Sequence, residues 1–146
     1  ATGLMFELLV PWWHMDEAVE LARDFTHMTV IVNHAGMPGV RDADTLAHWA
    51  RAMDRLSTCH NVVVKLSGLG VTSGTWTTAA QQPVVHALLA SFGPTRCMFA
   101  SNYPVDALVA SLDTIWQGFK TLTRHLSAPQ RLALFCDNAT RVYRLT

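Results

Sequence analysis

The stretch MTVIVNHAG, residues 28–36, is apolar and β-branched up to Val32, then turns polar at Asn33 and His34. A strand without polar alternation is buried on both faces, which points to a parallel sheet covered by helices. The same break recurs three times. LMFELLV (4–10) stops at PWWH (11–14), VVVKL (62–66) at SGLG (67–70), and RCMFA (96–100) at SNYP (101–104). Side chains capable of chemistry therefore lie just past the carboxyl end of every predicted strand. In parallel α/β folds that rim is where active sites are built.

Helical patterns fill the intervals. They are predicted over residues 16–24, 44–58, 83–92, 107–122 and 130–143, with Pro83 in a first turn, where its missing N–H costs nothing. NHAGMPGV (33–40) and the Gly-rich SGLGVTSGTW (67–76) read as loops. Strand starts recur about every 25–35 residues, the length of a βα unit. With right-handed crossovers, the chain is α/β: four parallel β/α units and an extra C-terminal helix. A doubly wound sheet would want a Gly-rich phosphate loop after the first strand, and PWWHMDEA offers none. The expected architecture is a partial, half TIM barrel, since a whole one takes about 250 residues.

The 146 residues are 50% apolar and 15% charged, enough for a core and one domain spanning 1–146. Net charge is zero and no basic run occurs, so non-specific nucleic-acid binding is not expected. No apolar stretch reaches membrane-spanning length. Cys59, Cys97 and Cys136 are odd in number and lack a C-x-x-C, which reads as buried free thiols and a reducing, cytoplasmic compartment. The chain begins with Ala1, as a piece of something longer would.

His34 is the first candidate for chemistry. It is placed to direct an imidazole, a common metal ligand and general base, into the barrel mouth. His14 follows two tryptophans after the first strand; Trp12 and Trp13 either wall an apolar pocket for a planar substrate or cover the barrel end as packing. Lys65 lies in an otherwise apolar strand and needs a carboxylate, from the protein or from a substrate. Asn102, Tyr103 and Asp106 close the last strand. Asp106 is a candidate base or metal ligand, with a helix cap before Ala107 as the alternative.

NHAG (33–36), NVVVKLSGLG (61–70), FGPTRCMFASNYPVD (92–106) and DNATRVYRL (137–145), in this order, resemble the amidohydrolase-related, metal-dependent-hydrolase-like TIM barrels. That family includes lactonases and related decarboxylases. The resemblance covers essentially the whole chain but only the carboxyl-terminal half of the barrel, strands five to eight. It implies that His34 binds a divalent metal (zinc or manganese) or polarises a substrate carbonyl. It gives His14 a substrate-facing role and Lys65 an anion contact. Two departures stand out. The chain has no His-x-His, which the family carries on its first strand. Its eighth strand ends Ala100-Ser101-Asn102 where Gly-Ser-Asp is usual, and asparagine cannot take a proton. The base is then Asp106, a histidine, or a group in the missing half.

The expected function is lactonase-like hydrolysis of a lactone or ester carbonyl in a small-molecule substrate. His34, Asn102 and Asp106 form the catalytic set, and Trp12, Trp13, His14, Lys65 and Tyr103 the substrate contacts. The alternatives are a metal-dependent decarboxylase, or a non-catalytic half barrel that self-associates or needs an amino-terminal partner half.

Overall fold

A computed structural model describes residues 4–70, 74 and 76–145. Positions 71–73 and 75 of the predicted Gly-rich loop, and Ala1, lie outside the described residues. Four strands, β1 (Phe6–Leu8), β2 (Val30–Val32), β3 (Val62–Leu66) and β4 (Cys97–Phe99), pair in parallel in sequence order. The helices are α1 (Met15–Asp24), α2 (Ala43–Ser57), α3 (Thr78–Phe92), α4 (Leu112–Leu122), α5 (Ala128–Leu132) and α6 (Asn138–Tyr143).

Register assigns the two faces. Glu7 pairs with Ile31, Ile31 with Val63, and Lys65 with Met98, so these share one face. Val30, Val32, Val62, Val64, Leu66, Cys97 and Phe99 occupy the other and join one core with Met15 and Ala22 of α1, Trp49 and Leu56 of α2, Leu88 of α3, and Ile115 and Phe119 of α4. Burying side chains of this size is worth about 1.5–3 kcal/mol each. Helices α1–α4 thus lie on one face of an unshuffled sheet. A doubly wound fold would put them on both, so the singly wound half barrel is the architecture.

The opposite face carries a smaller cluster of Ile31, Val63 and Met98 under Val142, Ala139 and Tyr143. The predicted last helix is in fact three pieces: α5, a π-helical Ala133–Asp137, and α6. Asn138 ties it down, donating from Nδ2 to the carbonyls of Pro94 and Cys97, both at 2.7 Å.

Three other expectations change. Helix α3 starts five residues early, because Thr77 caps it by accepting from Ala80 N, and Pro83 falls inside the helix rather than in its first turn. The predicted helix over 107–122 splits into a 3₁₀ turn (Val105–Leu108) and α4, whose cap is Ser111. Of the three cysteines, Cys59 and Cys97 are buried but Cys136 is exposed. Burial pushes the Cys97 thiol up to about 12. No helix among the described residues is long and apolar enough to cross a membrane.

Candidate active site

The polar tips of β2, β3 and β4 meet around His34. The chain leaves β2 through a turn, Asn33–Gly36, in which His34 (φ 52°, ψ 38°), Ala35 (φ 55°) and Gly36 (φ 67°) are all left-handed, and Met37 continues at φ 57°. Left-handed backbone costs a non-glycine residue about 1–2 kcal/mol, and such strain concentrates where function requires a fixed geometry. The turn is held by a Met37 N–H bond of 2.7 Å to the His34 carbonyl and by the buried Trp49 indole.

From β3, the Ser67 hydroxyl lies 2.9 Å from His34 Nδ1. Gly68 (φ 61°) packs so closely that a Cβ there would sit 2.7 Å from the same nitrogen. From the segment after β4, the buried Asp106 accepts from Asn102 Nδ2 at 3.0 Å and acts electrostatically on His34. Burial first, then the Lys65 ammonium, hold the His34 pKa below its ordinary value against the pull of Asp106. Burial holds the Asp106 carboxyl above its ordinary value, against the Asn102 hydrogen bond and the His34 charge. Asp106 is not a helix cap; it lies within the 3₁₀ turn, and Ser111 caps α4.

Lys65 finds its carboxylate in Glu7. Its ammonium lies 3.0 Å from both Glu7 oxygens and 5.6 Å from the centre of the Tyr143 ring. Glu7 also accepts from Asn33 Nδ2 at 3.1 Å and from the Tyr143 hydroxyl at 2.6 Å. Burial works to raise its pKa, but the hydrogen bonds from Tyr143, Asn33 and Lys65 outweigh it and hold Glu7 below the usual carboxylate range.

The remaining candidates spread outward. Trp12 Cβ sits 3.7 Å from the Cβ position of Gly36, beside the turn. Trp13 stacks edge-on against Trp12 and is 62% exposed. His14 pairs with Glu17 at 3.2 Å and lines an apolar groove of about 290 Å³ with Leu8, Val10, Ala18 and Leu21, beside the free edge of β1. Tyr103 donates to the Ala110 carbonyl at 3.3 Å. The structure thus gathers His34, Lys65, Asn102 and Asp106, with Trp12 adjacent, and places His14 on the outer groove.

Three participants were not singled out from sequence. Glu7 carried the same signal as Lys65, a lone charge in an apolar strand. Ser67 sits at a strand tip like His34. Arg41 gave no local signal. Its guanidinium, whose pKa burial lowers, donates to the carbonyls of Pro38 (3.1 Å), Ala80 (2.6 Å) and Leu69 (2.6 Å) and to Gln81 Oε1, strapping the loop after β2 to that after β3.

A divalent metal fits these residues poorly. A catalytic zinc centre takes three protein ligands, and the site supplies at most His34 and Asp106. No group of three His, Cys, Asp or Glu is disposed to hold a metal among the described residues.

The amidohydrolase family model matches residues 1–145. The protein y4mH of Sinorhizobium fredii is 44% identical over 98% of this chain and 48% of its own length. An L-fucono-1,5-lactonase of Burkholderia multivorans is 36% identical over 97% of this chain and 50% of its own. The crystal structure of a Burkholderia multivorans amidohydrolase with bound zinc superposes with a TM-score of 0.90, at 30% identity, over 97% of this chain and 53% of that one. The chain spans about half the length of the relatives it matches.

Proposed function

The chain belongs to the amidohydrolase family, and on that premise we propose that it carries the His34–Asp106 part of a lactonase-like hydrolytic site. The observation that supports this reading is a buried carboxyl and a half-buried imidazole that act on each other electrostatically and whose pKa values are moved toward one another. Groups whose proton affinities are drawn together in this way can pass a proton between them.

Water adds to the lactone or ester carbonyl and gives one proton to His34. The Asp106 carboxylate stabilises the imidazolium. As the ring C–O bond breaks, the departing oxygen takes that proton back, so one water is consumed. Asn102 stands where the family usually has an aspartate and holds Asp106 instead. Trp12, with Trp13 and Tyr103 further out, walls the substrate, and the Lys65 N–H not used by Glu7 is available to the carboxylate that opening the lactone produces. The similarity to an L-fucono-1,5-lactonase favours a small sugar lactone.

The site is completed from outside this chain. The outer edge of β1 exposes Leu4, Phe6 and Leu9, while Leu108 is 80% exposed beyond β4. An amino-terminal half barrel would cover both edges.

The test is lactone hydrolysis by this chain joined to, or co-expressed with, the four preceding βα units. His34→Ala should lower the rate at least about a hundredfold. Unchanged turnover removes His34 from the chemistry, and release of carbon dioxide from an aromatic acid by the same assembly favours the decarboxylase.

A further inference from the structure

We propose that His86 and His125 form a two-histidine site for a borderline transition-metal ion such as zinc, on the outer, helical side of the sheet. The site shares no residue with the strand tips and does not rest on the hydrolytic reading. Its two rings stand on different elements. His86 lies midway along α3, and His125 lies in the turn that follows α4. Their ring centres are 5.5 Å apart and their planes cross at 80°.

That separation is close to the one a shared metal requires. A zinc–imidazole bond is about 2.0–2.1 Å long and the ring centre lies ~1.1 Å behind the nitrogen, so two imidazoles on one tetrahedral zinc have centres about 5 Å apart. Both residues are exposed. The outer torsion of a histidine side chain is broad, so a turn about χ2 brings a nitrogen of each ring to the space between them. Neither ring hydrogen-bonds to a described residue, so the turn breaks no such bond.

The surroundings select the class of ion. The pair lines a groove of about 280 Å³ between α3 and the end of α4, with Thr78, Gln82, Thr121 and Arg124. Gln82 stands four residues before His86 and Thr121 four before His125, a spacing that puts neighbours on one helix face. Among the described residues no carboxylate lines the groove. Calcium and magnesium depend on carboxylate and other oxygen ligands, whereas imidazole suits zinc, copper and nickel. With two neutral ligands and the Arg124 cation beside them, the site is a weak one that leaves coordination positions to water. The bound ion would join α3 to the end of α4. Its ligands meet only in the folded chain, so it would bind the native state.

The inference is tested by titrating zinc chloride into the intact chain and following the histidine rings by long-range nitrogen–proton NMR, which needs no substrate. The His86 and His125 signals should move together along one saturable curve in the micromolar to low millimolar range. His86→Ala should weaken zinc binding at His125 by at least about tenfold, and His125→Ala should do the same at His86, since losing a ligand costs at least as much as losing a group that orients one. Rings that titrate with separate midpoints overturn the proposal. So does a pair of rings unmoved at millimolar zinc, or a His125 curve that His86→Ala leaves unchanged.

Discussion

The indole Nε1–H of Trp49 donates a 2.8 Å hydrogen bond to the carbonyl of Ala35. Trp49 is anchored in the buried stripe of α2, and Ala35 lies in the middle of the left-handed run that presents His34. One core side chain thus couples the packing of a helix to the backbone of the candidate site.

Trp49→Phe keeps most of the apolar volume and removes the donor. The Ala35 carbonyl, in a fully buried residue, is left without that partner. An unsatisfied buried polar group costs about 1–3 kcal/mol. Urea denaturation should show a loss of that size, with turnover falling further than stability alone explains because the His34 turn is released.

Gly68→Ala combines two penalties. The position has φ 61°, and the new Cβ would lie 2.7 Å from His34 Nδ1. The backbone term alone is about 1–2 kcal/mol. The ring must move, so the His34 NMR signals should shift while amide signals of α1 and α4 hold still.

Asp106→Asn separates stability from chemistry. A folded-state pKa above the unfolded one means that the native carboxyl binds its proton more tightly. Stability is therefore lost as pH rises from the ordinary aspartate value through the raised one, and the cost is fully present at neutral pH. Thermal melts at pH 7 should find Asp106→Asn at least as stable as the unsubstituted chain, while hydrolysis falls. A marked drop in melting temperature would show that the charge is held favourably.

Glu7 has the opposite sign. Its folded pKa lies below the ordinary value, so its contribution is present above about pH 4.5 and is lost as pH falls through the folded pKa. Lys65→Met and Tyr143→Phe each remove a donor to this carboxylate. Both should raise the Glu7 pKa and move the acid unfolding midpoint upward, measured by circular dichroism between pH 2 and 6.

The alternation of elements, the parallel sheet and the half-barrel architecture were legible from chain patterning, because burial on both faces leaves an uninterrupted β-branched run and helices leave a 3.6-residue stripe. His34, Lys65, Asn102 and Asp106 were legible as candidates because a polar residue ending or interrupting an apolar strand costs free energy unless it has work to do. The start of α3 was misread because Pro83 looked like a first-turn residue while the Thr77 cap gave a weaker local signal. The break at Ser111 was missed because residues 107–122 keep an apolar rhythm through the 3₁₀ turn.

Chain order alone therefore set which residues stand at the strand tips, since that follows from local periodicity. Folding set which of them meet. Glu7 reaches Lys65 across 58 positions and Tyr143 across 136, and Ser67 reaches His34 across 33. The left-handed turn at His34 could not be read from NHAG (33–36), because local preference opposes it at His34 and Ala35. It persists through contacts from α2 and β3 that exist only once the sheet and its helices have packed.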